Sequence, residues 1–184
     1  MFFVAGLDLA ASPKRCSGYA LLDVVSRKIL KVTCLYDDDE ILSTIRDDRV
    51  ELVAIDAPLI EEPSYRRVDR TARSLGYPVL PPTLGPMRSL TKRAWALSSK
   101  LANMNVIVIE THPRSALLSS GYPRVETLLE GTRLSINLNI KDLCKDEVDA
   151  IISAVVAYCY VNKLCIDEIK AEDGIIYIIK KIAS

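Results

Sequence analysis

The sequence predicts an α/β protein with a mixed sheet and helices on both of its faces. Three observations carry that expectation. Apolar runs of strand length recur along the chain, and three of them end in an acid, at Asp8, Asp56 and Glu110. The first three runs are joined by short polar turns, which favours an antiparallel meander. The later runs are separated by helix-compatible segments, and strands joined by helical crossovers are expected to run parallel to the first.

In chain order, residues 2–9 are apolar apart from Gly6 and Asp8 and read as a buried central strand. Residues 10–17 read as a turn, and residues 18–25 and 28–36 as two further strands. One of Asp37, Asp38 and Asp39 is expected to cap a helix from Glu40 through Arg46, with Ile41, Leu42 and Ile45 on its buried face. Leu52 to Asp56 form the next strand, stopped by Pro58. Ser64 to Leu75 are basic and helix-compatible. The prolines at 78, 81, 82 and 86 exclude a regular helix over 77–86, and Ser89 to Met104 are helical again. Val106 to Glu110 form a fifth strand, closed by Pro113. Lys145 to Val161 are a long apolar helix, and Asp173-Gly174 turn into a last strand over Ile175 to Ile179.

The 184 residues fit one domain over 1–184, with a basic, helical and Pro-rich insertion at about 62–104. Lys plus Arg number 24 and Asp plus Glu number 24, so the chain is neutral. Neutrality argues against non-specific coating of nucleic acid but leaves room for a local basic face. No apolar run spans a bilayer, and the opening residues lack the basic region and cleavage site of a signal peptide, so a cytoplasmic protein without membrane contact is expected. The five cysteines are odd in number and widely spaced, without a CxxC pair. Free thiols in a reducing compartment are the simplest reading, and neither a zinc site nor a redox motif is suggested.

Candidate chemistry gathers at the strand ends. Asp8, Asp56 and Glu110 would share one edge if their strands are parallel and adjacent, the edge at which open α/β sheets bind ligands. Clustered carboxylates repel one another, and Mg²⁺ or Mn²⁺ is the natural compensation. On the last long helix, Asp149 projects at the edge of the apolar arc and needs a metal or a basic partner, with Asp146 further round the same flank. Arg66, Arg67, Arg70, Arg73, Arg88, Lys92 and Arg93 fall in a segment with a single acid, Asp69, and with Tyr65, Tyr77 and Trp95 interleaved. That pattern suits a phosphate backbone with unstacked bases, or else a solvated face paired to acids. His112, the only histidine, and Lys14 in the first turn are candidate accessory groups; a structural role for His112 beside Pro113 is the alternative. GxSxG and GxxxxGK[ST] motifs are absent.

Gly6-Leu7-Asp8-Leu9-Ala10 followed by Gly18-Tyr19-Ala20 resembles the opening hairpin of the RNase H-like superfamily. More narrowly, the chain resembles the domain-of-unknown-function 429 family of predicted nucleases. The residues that carry this are Ala54-Ile55-Asp56-Ala57-Pro58, Arg67-Val68-Asp69-Arg70, Ile109-Glu110-Thr111-His112-Pro113, Lys145-Asp146-Glu147-Val148-Asp149-Ala150 and Glu172-Asp173-Gly174-Ile175-Ile176. The resemblance implies a five-stranded sheet of order 3-2-1-4-5 with strand 2 antiparallel. It also implies two divalent ions held by Asp8, Asp56 and Asp149, with Asp146 as a fourth acid in a RuvC-like position on the last helix. Glu110 has no clear counterpart in the superfamily set. The expected activity is divalent-metal-dependent, two-metal hydrolysis of phosphodiester bonds in DNA or RNA, with nucleic acid as partner and a homodimer suited to a two-fold substrate. The alternative is a non-catalytic nucleic-acid or protein binding module on the same fold.

Overall fold

In the computed structural model, which describes residues 2–182, three strands open the chain: β1 (Phe3–Asp8), β2 (Ser17–Asp23) and β3 (Lys28–Leu35). They form the antiparallel meander expected from their short turns. Met1, Ala183 and Ser184, included in the single-domain reading, lie outside the described residues. Helix α1 (Asp38–Asp47) follows, capped by Asp37, whose side chain accepts from the Glu40 N–H at 2.8 Å. It buries Ile41 and Ile45. Strand β4 (Val50–Asp56) then pairs parallel to β1, and β5 (Ile107–Thr111) parallel to β4. Between them lie α2 (Arg67–Ser74) and α3 (Gly85–Asn103). Helix α3 starts earlier than its apolar pattern suggests, because Pro86 sits in its first turn, where a missing N–H costs nothing.

The chain continues with α4 (Pro113–Ser120), α5 (Val125–Thr132), β6 (Ser135–Ile136), a single 3₁₀ turn at Ile140–Asp142, α6 (Lys145–Asn162), β7 (Ile166–Ala171) and β8 (Gly174–Ile179). One sheet results, of order β6-β3-β2-β1-β4-β5-β8-β7. The expected 3-2-1-4-5 order, with strand 2 antiparallel, is its centre. The expected count of five is corrected to eight: β6 extends one edge, and the β7–β8 hairpin extends the other, β8 pairing parallel to β5.

Strand alternation sorts the core into two layers. Val4, Ala20, Leu22, Leu52, Ala54 and Ile109 face one side, against α6 and residues of α2, α4 and α5. Ala5, Leu7, Tyr19, Leu21, Val53 and Ile55 face the other, against α1 and α3. Two glycines bring α6 down onto the sheet. A Cβ at Gly6 would overlap the backbone of Ala150, Ser153 and Ala154, and one at Gly18 would overlap Asp146. The small residues Ala150, Ala154 and Ala157 are fully buried at this contact. No helix among the described residues is long and apolar enough to cross a membrane.

The expectation of free thiols is corrected. Cys16 is joined to Cys34, and Cys159 to Cys165, leaving Cys144 free. The linear spacing hid both pairs. Cys16 precedes β2 and faces its antiparallel neighbour β3, while Cys159 and Cys165 flank the C-terminal end of α6.

Candidate metal centre

Period-two alternation places the first two acids. Asp8 continues the parity of Val4 and Gly6, and Asp56 that of Leu52 and Ala54, so both belong to the face that α6 covers. The β1–β4 ladder pairs Leu7 with Ile55, which makes Asp8 and Asp56 the next residue of each strand. The close crossing at Gly6 and Gly18 lays the first turns of α6 over these strand ends and adds Asp149 and Asp146. Asp8, Asp56 and Asp149 line one cleft of about 270 Å³, together with Arg66, Asp69, Glu110, Thr111, His112, Arg114 and Lys145. Pro78, Val79 and Leu80 of the Pro-rich loop form part of its wall. A second cavity of about 200 Å³ shares Asp8 and Lys145 and adds Asp146, Arg15 and Cys16.

The electrostatics of these acids are unbalanced. Burial, then the charges of Asp149 and Asp146, push the Asp8 carboxyl up to about 7. Burial, followed by Asp8 and Asp149, raises Asp56 well above the usual carboxylate range. Among the described residues, the one cation in direct contact is Lys145, whose Nζ lies 2.9 Å from Asp149 Oδ2, one helical turn away. Lys145 is 85% exposed and free to swing aside, whereas Asp149 is 19% exposed. Sequence reasoning missed Lys145, although an i,i+4 pair with Asp149 was there to read. Arg114 on the cleft wall carried no such signal.

An all-oxygen, anionic donor set short of positive charge fits a hard divalent cation such as Mg²⁺ or Mn²⁺. The carboxylates do not form a closed cage: among the described residues, only Cys16, Cys34 and Cys144 bring three ligand atoms within 4.8 Å of one another.

Glu110 takes a different part. The ladder pairs it with Ile55, and Asp56 with Thr111, so Glu110 leaves the sheet on the pleat opposite to Asp56. Arg66 lies between Glu110 and Asp69. Its Nη1 and Nη2 donate to Glu110 at 2.8 and 2.6 Å, while its Nε and Nη2 donate to Asp69 at 2.9 and 2.6 Å. The Leu59 N–H adds a bond to Glu110 at 2.8 Å. Arg66 and Asp69 are each 3% exposed at the side chain. Burial still raises Glu110 overall, against the lowering effect of Arg66.

The basic segment divides accordingly. Arg66 belongs to this buried triad, not to a phosphate-binding surface. Arg93 is also turned inward, donating to Asp38 at 2.8 Å and to the Ala10 and Tyr36 carbonyls at 2.7 Å. Arg67, Arg70, Arg73, Arg88 and Lys92 are exposed, as are Tyr65 and Trp95. Arg67 also pairs with Glu172. His112 caps α4, its Nδ1 accepting from the Ser115 N–H at 3.2 Å. Burial lowers its pKa to about 4, so at neutral pH the ring is uncharged and Nε2 carries the proton. Lys14 is exposed in the β1–β2 turn, and its neighbour Arg15 lines the second cavity instead.

No family model and no curated protein matches this chain. Among solved structures, it is similar to Thermus thermophilus RuvC in complex with a Holliday junction substrate. The two are 15% identical, with a TM-score of 0.54 over 89% of this chain and 98% of that one. A second Thermus thermophilus RuvC structure aligns over 88% and 97%, with the same identity and score. That likeness is one of fold: a mixed α/β sheet of RNase H-like strand order with helices on both faces.

Proposed function

We propose that the protein is a divalent-metal-dependent nuclease that hydrolyses phosphodiester bonds in DNA or RNA. The observation that carries this is the meeting of Asp8, Asp56 and Asp149, from two strands and a helix, in one cleft with too little positive charge. The fold likeness to RuvC supports it, and the bound Holliday junction of that protein makes branched DNA the first substrate to try. The finer placement in the domain-of-unknown-function 429 family rests on motif order, the single-domain organisation on chain length, the cytoplasmic location on the want of a bilayer-spanning apolar run, and the two-fold dimer on the symmetry of a junction substrate.

Asp8, Asp56 and Asp149 would hold two Mg²⁺ or Mn²⁺ ions, with Asp146 as a fourth donor beside Asp8. When bound, the ions supply a water acidic enough to attack phosphorus and stabilise the leaving oxygen. The chain's own groups orient the substrate. Lys145 is free to exchange Asp149 for a phosphate oxygen, and neutral His112 and cationic Arg114 line the same cleft. Exposed Arg70, Arg73, Arg88 and Lys92 would hold the flanking backbone. The test is cleavage of labelled four-way junction, duplex and single-stranded substrates with Mg²⁺, with Mn²⁺ and with chelator. Metal-dependent cleavage is expected. Binding without cleavage in every metal would favour the non-catalytic module.

A further inference from the structure

Among the described residues, the tightest ligand cluster is made of sulfur and lies beside the carboxylate cleft. Cys16 comes from the β1–β2 turn, Cys34 from β3 and Cys144 from the N-cap of α6. Their sulfurs all lie within 4.8 Å of one another, with Cys34 Sγ to Cys144 Sγ at 4.0 Å. This convergence is built by the fold. The ladder sets Gly18 opposite Cys34, and the missing Cβ of Gly18 lets the first turn of α6 rest there, which brings Cys144 to the pair. Cys16 and Cys34 are half-buried and Cys144 is exposed, so the cluster is open to solvent on one side.

We propose that, once the Cys16–Cys34 bond is reduced, Cys16, Cys34 and Cys144 form a three-thiolate site for a borderline or soft cation, Zn²⁺ being the reference case. Two thiolates on a tetrahedral Zn²⁺, each with a bond of about 2.3 Å, stand about 3.8 Å apart. Cys34 and Cys144 already match that spacing. Reduction frees Cys16 and Cys34 to separate by about 2 Å, which side-chain rotation supplies. The competing use of three such sulfurs is thiol–disulfide exchange, in which Cys144 would attack Cys34 and expel Cys16. That attack needs a nearly straight line of sulfurs, with the outer two about 6 Å apart. A compact triangle within 4.8 Å suits convergence on one ion better. Three protein ligands leave the fourth position open.

The chemistry balances with a dithiol as reductant. The Cys16–Cys34 bond takes up two electrons and two protons, and the dithiol closes to its own disulfide. Binding of Zn²⁺ then releases the thiol protons to solvent. A bound ion would tie the β1–β2 turn, β3 and the start of α6 together, steadying the helix that carries Asp146 and Asp149.

The test uses the full-length chain, reduced with dithiothreitol, freed of reductant without air and titrated with Co²⁺ alone. One Co²⁺ per chain with sulfur-to-metal charge-transfer absorption is expected, displaced by Zn²⁺. The signal should be lost in Cys144→Ser and Cys34→Ser, be absent from the oxidised protein, and persist in Cys165→Ser. It should also persist in Asp8→Asn, which separates this site from the carboxylate cleft and from the nuclease reading. A reduced, folded protein without thiolate absorption would overturn the proposal. So would a signal undiminished in Cys144→Ser, which tests the point with an exposed residue whose replacement leaves the core intact.

Discussion

Asp56 ends β4 and Glu110 stands one residue before the end of its parallel neighbour β5, and the protein treats them in opposite ways. Glu110 is given a cation of its own: Arg66 donates to both of its oxygens and to both oxygens of Asp69, closing a buried set with paired charge. Asp56 shares its surroundings with Asp8 and Asp149, and Lys145 reaches in from solvent to Asp149. The difference follows from one residue of register, since Glu110 pairs with Ile55 and not with Asp56. A carboxylate at a strand end is therefore no evidence of a metal site by itself. The counter-charge decides, and the chain supplies it at one acid and leaves it missing at the next.

The largest expected effect separates the two sets by function. Asp8→Asn and Asp56→Asn each should reduce metal-dependent cleavage by about 10³-fold or more while leaving the fold intact. Equal cleavage by wild type and Asp8→Asn would remove Asp8 from the reaction. The second separates them by stability. Arg66→Ala leaves Glu110 and Asp69 buried without their cation, and should cost about 3–5 kcal/mol. In a chain of this length that lowers Tm by about 10 °C. A melt unchanged by Arg66→Ala would mean that the triad is not structural.

Much of this contrast was written in the sequence, but not its key step. The apolar runs, the short first turns and the helical crossovers were enough for a mixed sheet with helices on its faces, whereas the central strand order came only with the resemblance to the RNase H-like superfamily. Asp8 and Asp56 were legible because they terminate central strands, and Asp149 because it interrupts an apolar helical arc. Register was not legible, since nothing in Ile109-Glu110-Thr111 says which pleat faces α6. Arg66 read as one base among many because its partners lie three and 44 residues away, and only the fold brings the second one in. The β7–β8 hairpin and the cysteine cluster depend in the same way on long-range neighbours. Helices α4 and α5 are short, and their pattern is too brief to stand out from a loop.

A third expected effect is smaller and follows from the charge imbalance. The Asp8 pKa stands above its ordinary value of 3.8, at about 7, so the folded chain holds this proton more tightly than the unfolded chain does. The stability this contributes is complete below about pH 3.8 and is lost as pH rises through about 7. Metal-free protein should therefore lose stability from this group across that window. Mg²⁺ should restore it at pH 7–8, and Asp8→Asn should flatten the profile. Melts of wild type and Asp8→Asn in chelator, followed over pH, make the comparison. A wild-type profile no steeper than that of Asp8→Asn would mean that the acids are already balanced.

The smallest effects per residue belong to the exposed bases, and they extend the comparison from acids to arginines. Arg66 and Arg93 are turned inward and hold the fold, whereas Arg70, Arg73, Arg88 and Lys92 face solvent. An exposed base that contacts phosphate displaces about one counterion, so each Arg or Lys→Gln change should weaken nucleic-acid binding modestly. It should also reduce the slope of log K against log salt by a little under one. Neither Tm nor the metal requirement should move, because these side chains touch neither the triad nor the cleft acids. Binding measured at several salt concentrations, in chelator to prevent cleavage, reads the slope directly. If all four changes leave it unaltered, the phosphate backbone runs elsewhere, and the bases of α2 and α3 are a solvated surface whose role ends at solubility.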